Sequence, residues 1–122
     1  MENFISMFEI PASDFQRAVS FYKAILNIEI EEVDMEGIKM GLFPGDGSNV
    51  SGSVIAGADY KPSPDGAVIY LNGGSDLQDI MDRVVASNGK VVIPKTEISP
   101  EMGFYGTFID TEGNRLGLYS QG

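Results

Sequence analysis

Gly103-Phe-Tyr-Gly-Thr-Phe-Ile-Asp-Thr-Glu-Gly-Asn-Arg-Leu-Gly-Leu-Tyr119 is the stretch whose reading decides the fold. Phe104 to Ile109 is rich in aromatic and branched residues, and Leu116 and Leu118 alternate beyond it, so two strands are expected. Between them, Asp110-Thr-Glu-Gly-Asn114 has turn chemistry, with Gly113 or Asn114 free to take positive φ. The stretch is therefore a hairpin.

Working back from the hairpin, Pro94 to Met102 reads as a polar connection and Val91-Val-Ile93 as a strand. Before them, Leu77, Ile80, Met81, Val84 and Val85 recur at helical spacing, and Asn88-Gly89 ends that helix. Ser75-Asp-Leu-Gln78 matches a capping box at its start, and Val68 to Asn72 precedes it as a strand. The first half has the same order. Phe4 to Ile10 is a strand, ended by Pro11. Ser13-Asp-Phe-Gln16 is a second capping box, and Phe15, Ala18, Val19, Tyr22 and Ile25 or Leu26 form an apolar helix face. Asn27 is a left-handed stop. Ile28 to Val33, Ile38 to Phe43 and Ser51 to Ala56 complete three strands. Two capping boxes in register, each between a strand and an amphipathic helix, indicate duplication. The expectation is one domain over 1–122: a βαβββ module at 1–57, a proline-rich linker at 58–66 and a second βαβββ module at 67–122. Neither half is large enough to bury a core alone.

Three segments carry a family resemblance: Glu9-Ile-Pro-Ala-Ser-Asp-Phe-Gln-Arg-Ala-Val-Ser-Phe-Tyr22, Val68-Ile-Tyr-Leu-Asn72 and the hairpin. Together they resemble the vicinal oxygen chelate superfamily of glyoxalase I, extradiol dioxygenases and bleomycin resistance proteins. The resemblance implies an α+β fold in which two βαβββ modules form an incomplete barrel around a central cleft, often shared across a dimer. It also implies four metal-ligand positions, usually His, Glu or Gln. Aligned on the helix starts and the hairpin, these fall at Met7, within Ser51 to Ala56, at Val68 or Ile69, and at Gly117. Thioether, small and apolar residues do not suit a hard divalent ion. No metal and no other cofactor is expected.

Composition narrows the chemistry further. The chain has 122 residues, no cysteine and no histidine, which excludes disulfides, thiolate sites and the commonest acid–base residue. A net charge of −10 argues against nucleic acid and anionic membrane surfaces as partners. It is compatible with a cationic ligand, and equally with plain solubility. No apolar run is long enough to span a bilayer, and the segment from Met1 lacks a signal-like block, so a cytoplasmic location is expected. Gly45-Asp-Gly47 lacks the spacing and lysine of a phosphate loop.

The cleft is then lined by neighbours of the ligand positions: Met7 and Glu9, Val68, Tyr70 and Asn72, Gly117 and Tyr119. Glu9 is the one carboxylate among them. It either acts as a base or holds a cationic group, or else pairs with a lysine or arginine or reaches water at the rim. Tyr70 and Tyr119 either offer hydroxyls to a ligand or bury their rings in the core, the commoner use. The leading expectation is a metal-independent small-molecule binding protein that forms a homodimer. A glyoxalase-like lyase, isomerase or dioxygenase with atypical ligands, and a non-catalytic assembly or regulatory subunit, are the alternatives.

Overall fold

The computed structural model describes residues 3–122. Met1 and Glu2, where the reading of the N-terminus begins, lie outside the described residues. The elements run β1 (Met7–Pro11), α1 (Phe15–Leu26), β2 (Glu31–Met35), β3 (Ile38–Leu42), β4 (Ser51–Ala56), β5 (Tyr70–Asn72), α2 (Leu77–Ala86), β6 (Lys90–Ser99), β7 (Gly103–Ile109) and β8 (Arg115–Ser120). This is βαβββ twice. The sheets have the equivalent orders β1-β4-β3-β2 and β5-β8-β7-β6. In each, the first strand runs parallel to the last and the remaining pairs are antiparallel. The sheets do not close into a barrel, so the α+β expectation of two βαβββ modules in an open arrangement holds.

Strand alternation dictates what each sheet buries. Ile10 and Val54 on one sheet, and Leu71, Phe108, Leu116 and Leu118 on the other, face α1 and α2 and join them in one core. Both helices contribute to it, and Arg83 Nε of α2 donates to Ile25 O at the end of α1 at 2.8 Å. Phe21 of α1 lies 6.1 Å from Phe108 of β7, centroid to centroid. One shared core is what two undersized halves require.

Three local expectations need correction. The helix caps sit one residue later than read: Asp14 Oδ1 accepts from Arg17 N at 3.1 Å and Asp76 Oδ1 from Gln78 N at 2.9 Å. Serine and aspartate are comparable caps, and the chain enters the helix at the aspartate, which is the residue with extended backbone at each start. The glutamines do not reach back; Gln16 bonds Glu32 and Gln78 bonds Asp82. The stop at Asn27 is left-handed as read (φ 55°), and Asn88, just past the end of α2, is left-handed too (φ 73°). Finally, residues 94–99 are not a connection but the second half of β6. The pairing with β7 passes the proline through register shifts between Val91 and Ile93, Ile93 and Thr96, and Glu97 and Ser99. Bulges are where an edge strand tolerates proline.

The signature hairpin turn ties the halves together. Gly113 takes the positive φ, 96°. Asp110 is buried, and its Oδ1 accepts from the backbone N–H groups of Glu112 and Asn114, both at 2.9 Å. Its Oδ2 accepts from Asn114 Nδ2 at 3.0 Å and from the Tyr22 hydroxyl of α1 at 2.7 Å. Asn114 Nδ2 also donates to Pro11 O at 2.7 Å, and Asn114 Oδ1 accepts from Ser63 N at 3.1 Å. Glu112 Oε1 accepts from the N–H groups of Ser13 and Asp14, at 3.0 and 2.7 Å, where α1 begins. Arg17 completes this carboxylate's shell, with Nε on Oε2 at 2.7 Å. An anion at a helix start is favoured by the free N–H groups and the helix dipole.

Candidate functional site

The second sheet's outer face, turned away from α2, is organised in two rungs. Tyr70, Gly117, Thr107 and Ile93 pair successively across the four strands, as do Asn72, Tyr119, Tyr105 and Thr96. Tyr70, Ile98, Tyr105 and Tyr119 line an apolar hollow of about 380 Å³. Tyr70 is 49% exposed and Tyr119 37%. These rings are not core residues, against the commoner use of tyrosine, because α2 is served by the opposite parity, Leu71 and Leu118. Tyr119 is held by its hydroxyl, which donates to Met102 O at 2.6 Å. Asn72 is exposed, and its Oδ1 accepts from Gly74 N at 2.9 Å. Val68, also exposed, lies just ahead of β5.

Gly117 explains the shape of this face. A Cβ built there would collide with the Cδ2, Cε2 and Cγ atoms of Tyr70. The tyrosine ring therefore occupies the space into which a longer side chain at 117 would project. The absence of a side chain and the presence of the ring belong together.

On the first sheet, Met7 pairs with Ser51 and Glu9 with Ser53. Met7 and Glu9 are both exposed on the outer face. Glu9 makes no ion pair within 4.0 Å among the described residues, so the rim pairing considered for it is not made. It lines a hollow of about 160 Å³ with Lys61, Asp65 and Arg115, distinct from the tyrosine hollow. Within the chain, the site residues read from the sequence thus fall into two groups: Met7 and Glu9 on one sheet, and Val68, Tyr70, Asn72, Gly117 and Tyr119 on or beside the other. A larger hollow of about 530 Å³ lies at the start of α2. Its Asp76 is already engaged by Gln78 N and by Lys95 at 2.8 Å, so it is a groove beside a capped helix.

Three residues on or beside this face escaped the sequence reading: Tyr105, Thr107 and Ile98. Tyr105 and Thr107 follow from the hairpin once its turn is fixed, since Tyr105 must then oppose Tyr119 and Thr107 oppose Gly117. Ile98 was hidden by the reading of Pro94 to Met102 as a connection.

The donor set does not fit the metal that such a fold implies. The four positions hold a thioether, a run of serine, glycine, valine, isoleucine and alanine, an apolar side chain, and a glycine covered by a ring. Among the described residues no three Asp, Glu, His or Cys side chains converge.

A family model described as Glyoxalase/Bleomycin resistance protein/Dioxygenase superfamily matches residues 4–118. A glyoxylase-like domain-containing protein of Didymella fabae is 27% identical over 113 residues, covering 90% of this chain and 88% of that protein. TnmS3, an antibiotic binding protein from Streptomyces sp. CB03234, superposes with a TM-score of 0.74 at 19% identity, over 100% of this chain and 99% of that one. The fosfomycin resistance protein FosX of Listeria monocytogenes gives 0.72 at 14% identity, over 100% and 93%. A glyoxalase I mutant of Zea mays gives 0.75 at 11% identity, with 94% of this chain covering 44% of that chain. At these identities the superpositions establish fold alone.

Proposed function

The chain belongs to the Glyoxalase/Bleomycin resistance protein/Dioxygenase superfamily, and from that premise we propose that it is a metal-independent small-molecule binding protein. The observation that carries this reading is Gly117 beneath Tyr70. Where the family places a metal ligand, this chain has a ring that roofs a glycine and lines an apolar hollow. A mostly apolar concavity with few polar groups is the usual form of a ligand site. In this reading Tyr70, Tyr119, Asn72, Val68 and Gly117 of the second module form one side of the site, and Met7 and Glu9, which lie apart from them within the chain, join it from the first module of a second copy. Glu9 and the net charge of −10 favour a cationic or amphipathic ligand.

The reading includes assembly. The outer faces and edges expose Met7, Val68, Tyr70, Ile98 and Tyr119. Open sheets with apolar outer faces are normally covered, and a twofold homodimer covers both kinds of face at once, bringing Glu9 of one chain towards the tyrosines of the other. The division into modules at 1–57 and 67–122 around the linker 58–66 is part of the same proposal. So are a cytoplasmic location and the absence of nucleic-acid and membrane partners; no helix among the described residues is long and apolar enough to cross a membrane.

The test is a thermal-shift screen of small molecules run with chelator and again with Zn, Ni, Fe or Mn. Ligands of the native state raise Tm by mass action. Hits are expected with chelator present, and the metals alone are expected to leave Tm unchanged. For a cationic hit, Glu9→Gln should weaken binding by about 1–3 kcal/mol, the range of a charge-assisted hydrogen bond. A Tm raised by one equivalent of metal would revive the enzyme reading, and a screen without hits would favour an assembly role. Light scattering should separately report a dimer of the 13.2 kDa chain; a monomer at micromolar to millimolar protein would refute that part.

A further inference from the structure

The second sheet's outer face contains a buried hydroxyl that no described residue bonds. Thr107 is 1% exposed, and its Oγ1 has no hydrogen-bond partner among the described residues. Buried polar groups are almost always paired, and one that is not marks a place where something else supplies the partner. Thr107 shares a rung with Gly117 and Tyr70, with the glycine in the middle. Residues opposite one another on a sheet face the same way, about 5 Å apart, so the Tyr70 ring lying over Gly117 sits on the side of the sheet that Thr107 faces. Tyr119 on the next rung is tethered through its hydroxyl to Met102 O, whereas Tyr70 has no such tether among the described residues.

We infer that Tyr70 is a swinging cover, and that the Thr107 hydroxyl beneath it is the polar anchor of a pocket for a flat aromatic molecule carrying one hydroxyl or carbonyl oxygen. The inference rests on the small-molecule reading above and names the ligand class of that same face. Three half-exposed tyrosine rings and Ile98 surround the hollow, a lining suited to stacking and edge contacts with an aromatic ring system. Thr107 does not line the hollow as it stands; once Tyr70 swings out, its single hydroxyl would fix orientation, because an apolar occupant leaves it unpaired and an oxygen-bearing one does not. Since Gly117 offers no side chain, swinging Tyr70 outward opens the rung down to the backbone. Tyr70 is half exposed in the single chain, so no described residue of its own chain encloses the ring.

The experiment compares 2-naphthol with 2-methylnaphthalene, which match in size and differ in the oxygen. Naphthalene fluorescence reports both, and the chain contains no tryptophan to interfere. Wild type is expected to prefer 2-naphthol by about 3- to 10-fold, the equivalent of one neutral hydrogen bond. Thr107→Val keeps the shape, and should abolish the preference while leaving 2-methylnaphthalene affinity unchanged. The variant should melt no lower than wild type, since the hydroxyl it removes had no partner. Tyr70→Ala should retain the preference, whatever its effect on overall affinity. A preference that survives Thr107→Val, or a Thr107→Val protein that melts lower, overturns the anchor. Failure of both probes to bind wild type and Tyr70→Ala overturns the pocket. Screening hits that ignore Thr107→Val would overturn this inference and leave the binding function standing; absence of any hit removes the function itself.

Discussion

Asp110→Ala is expected to lower the stability of the protein by about 4 kcal/mol, because two buried side-chain donors are orphaned at about 1–3 kcal/mol each. The donors are the Tyr22 hydroxyl and the Asn114 amide. The N–H groups of Glu112 and Asn114 lose the same acceptor. Burial first, and then the Asp110 charge, hold the Tyr22 phenol well above its ordinary pKa, so it stays a donor at any working pH. For a domain whose total stability is about 5–15 kcal/mol, such a loss is a large fraction. Urea unfolding should show a lower midpoint with an unchanged slope. Tyr22→Phe should cost less, and the two substitutions together should cost less than their sum, since each removes the same bond. A loss below about 1 kcal/mol for Asp110→Ala would mean that the turn holds its shape without the carboxylate.

Glu112→Gln should cost at most about 3 kcal/mol at neutral pH and remove part of the acid sensitivity. Burial raises the Glu112 pKa, but the Arg17 hydrogen bond, the Asp14 N–H, the Thr111 hydroxyl and the Arg17 charge together bring it down to about 2 from 4.5. Its side chain is buried but that of Arg17 is half exposed, so solvent screening removes part of this and the conversion is an upper bound. A shift of that size corresponds to about 3 kcal/mol at 1.36 kcal/mol per pH unit. The sign follows from the depressed pKa. The contribution is complete above pH 4.5 and is lost as the pH falls through about 2. Wild-type stability should therefore decline across that window, and Glu112→Gln should decline less. Arg17→Ala should cost less than Glu112→Gln, because the N–H groups of Ser13 and Asp14 still hold the carboxylate. Equal acid limbs for wild type and Glu112→Gln would contradict the assignment.

Both predictions concern the stretch from which the fold was read, and they show what a sequence does and does not disclose. Alternation, helical spacing and Gly113 are local, and they were enough for βαβββ twice. That Asp110 reaches Tyr22, and Glu112 the start of α1, is a fact of tertiary approach that no local pattern encodes. The helix caps were misread by one residue because serine and aspartate are both good acceptors, and only geometry chooses between Ser13 and Asp14. Pro94 was misread because proline usually ends a strand, whereas here successive register shifts carry the strand past it. At the site, parity put Tyr70 and Asn72 on the same face as Gly117 and Tyr119. What it could not supply was the Tyr70 ring over Gly117, which depends on a side chain's direction, or the place of Thr107 across the hairpin.

The irregular pairing of β6 has a consequence for how the protein behaves at high concentration. This ten-residue strand is the outermost of its sheet and exposes Val91, Val92 and Ile98. A regular strand of that length and composition would be a template for cross-β growth. Here Pro94 has no N–H to offer, Lys90, Lys95 and Glu97 place charge along the strand, and three register shifts twist it out of line. A second copy arriving edge-on meets no continuous row of donors and acceptors. The strand that carries Ile98 to the tyrosine hollow is thereby kept from seeding fibrils.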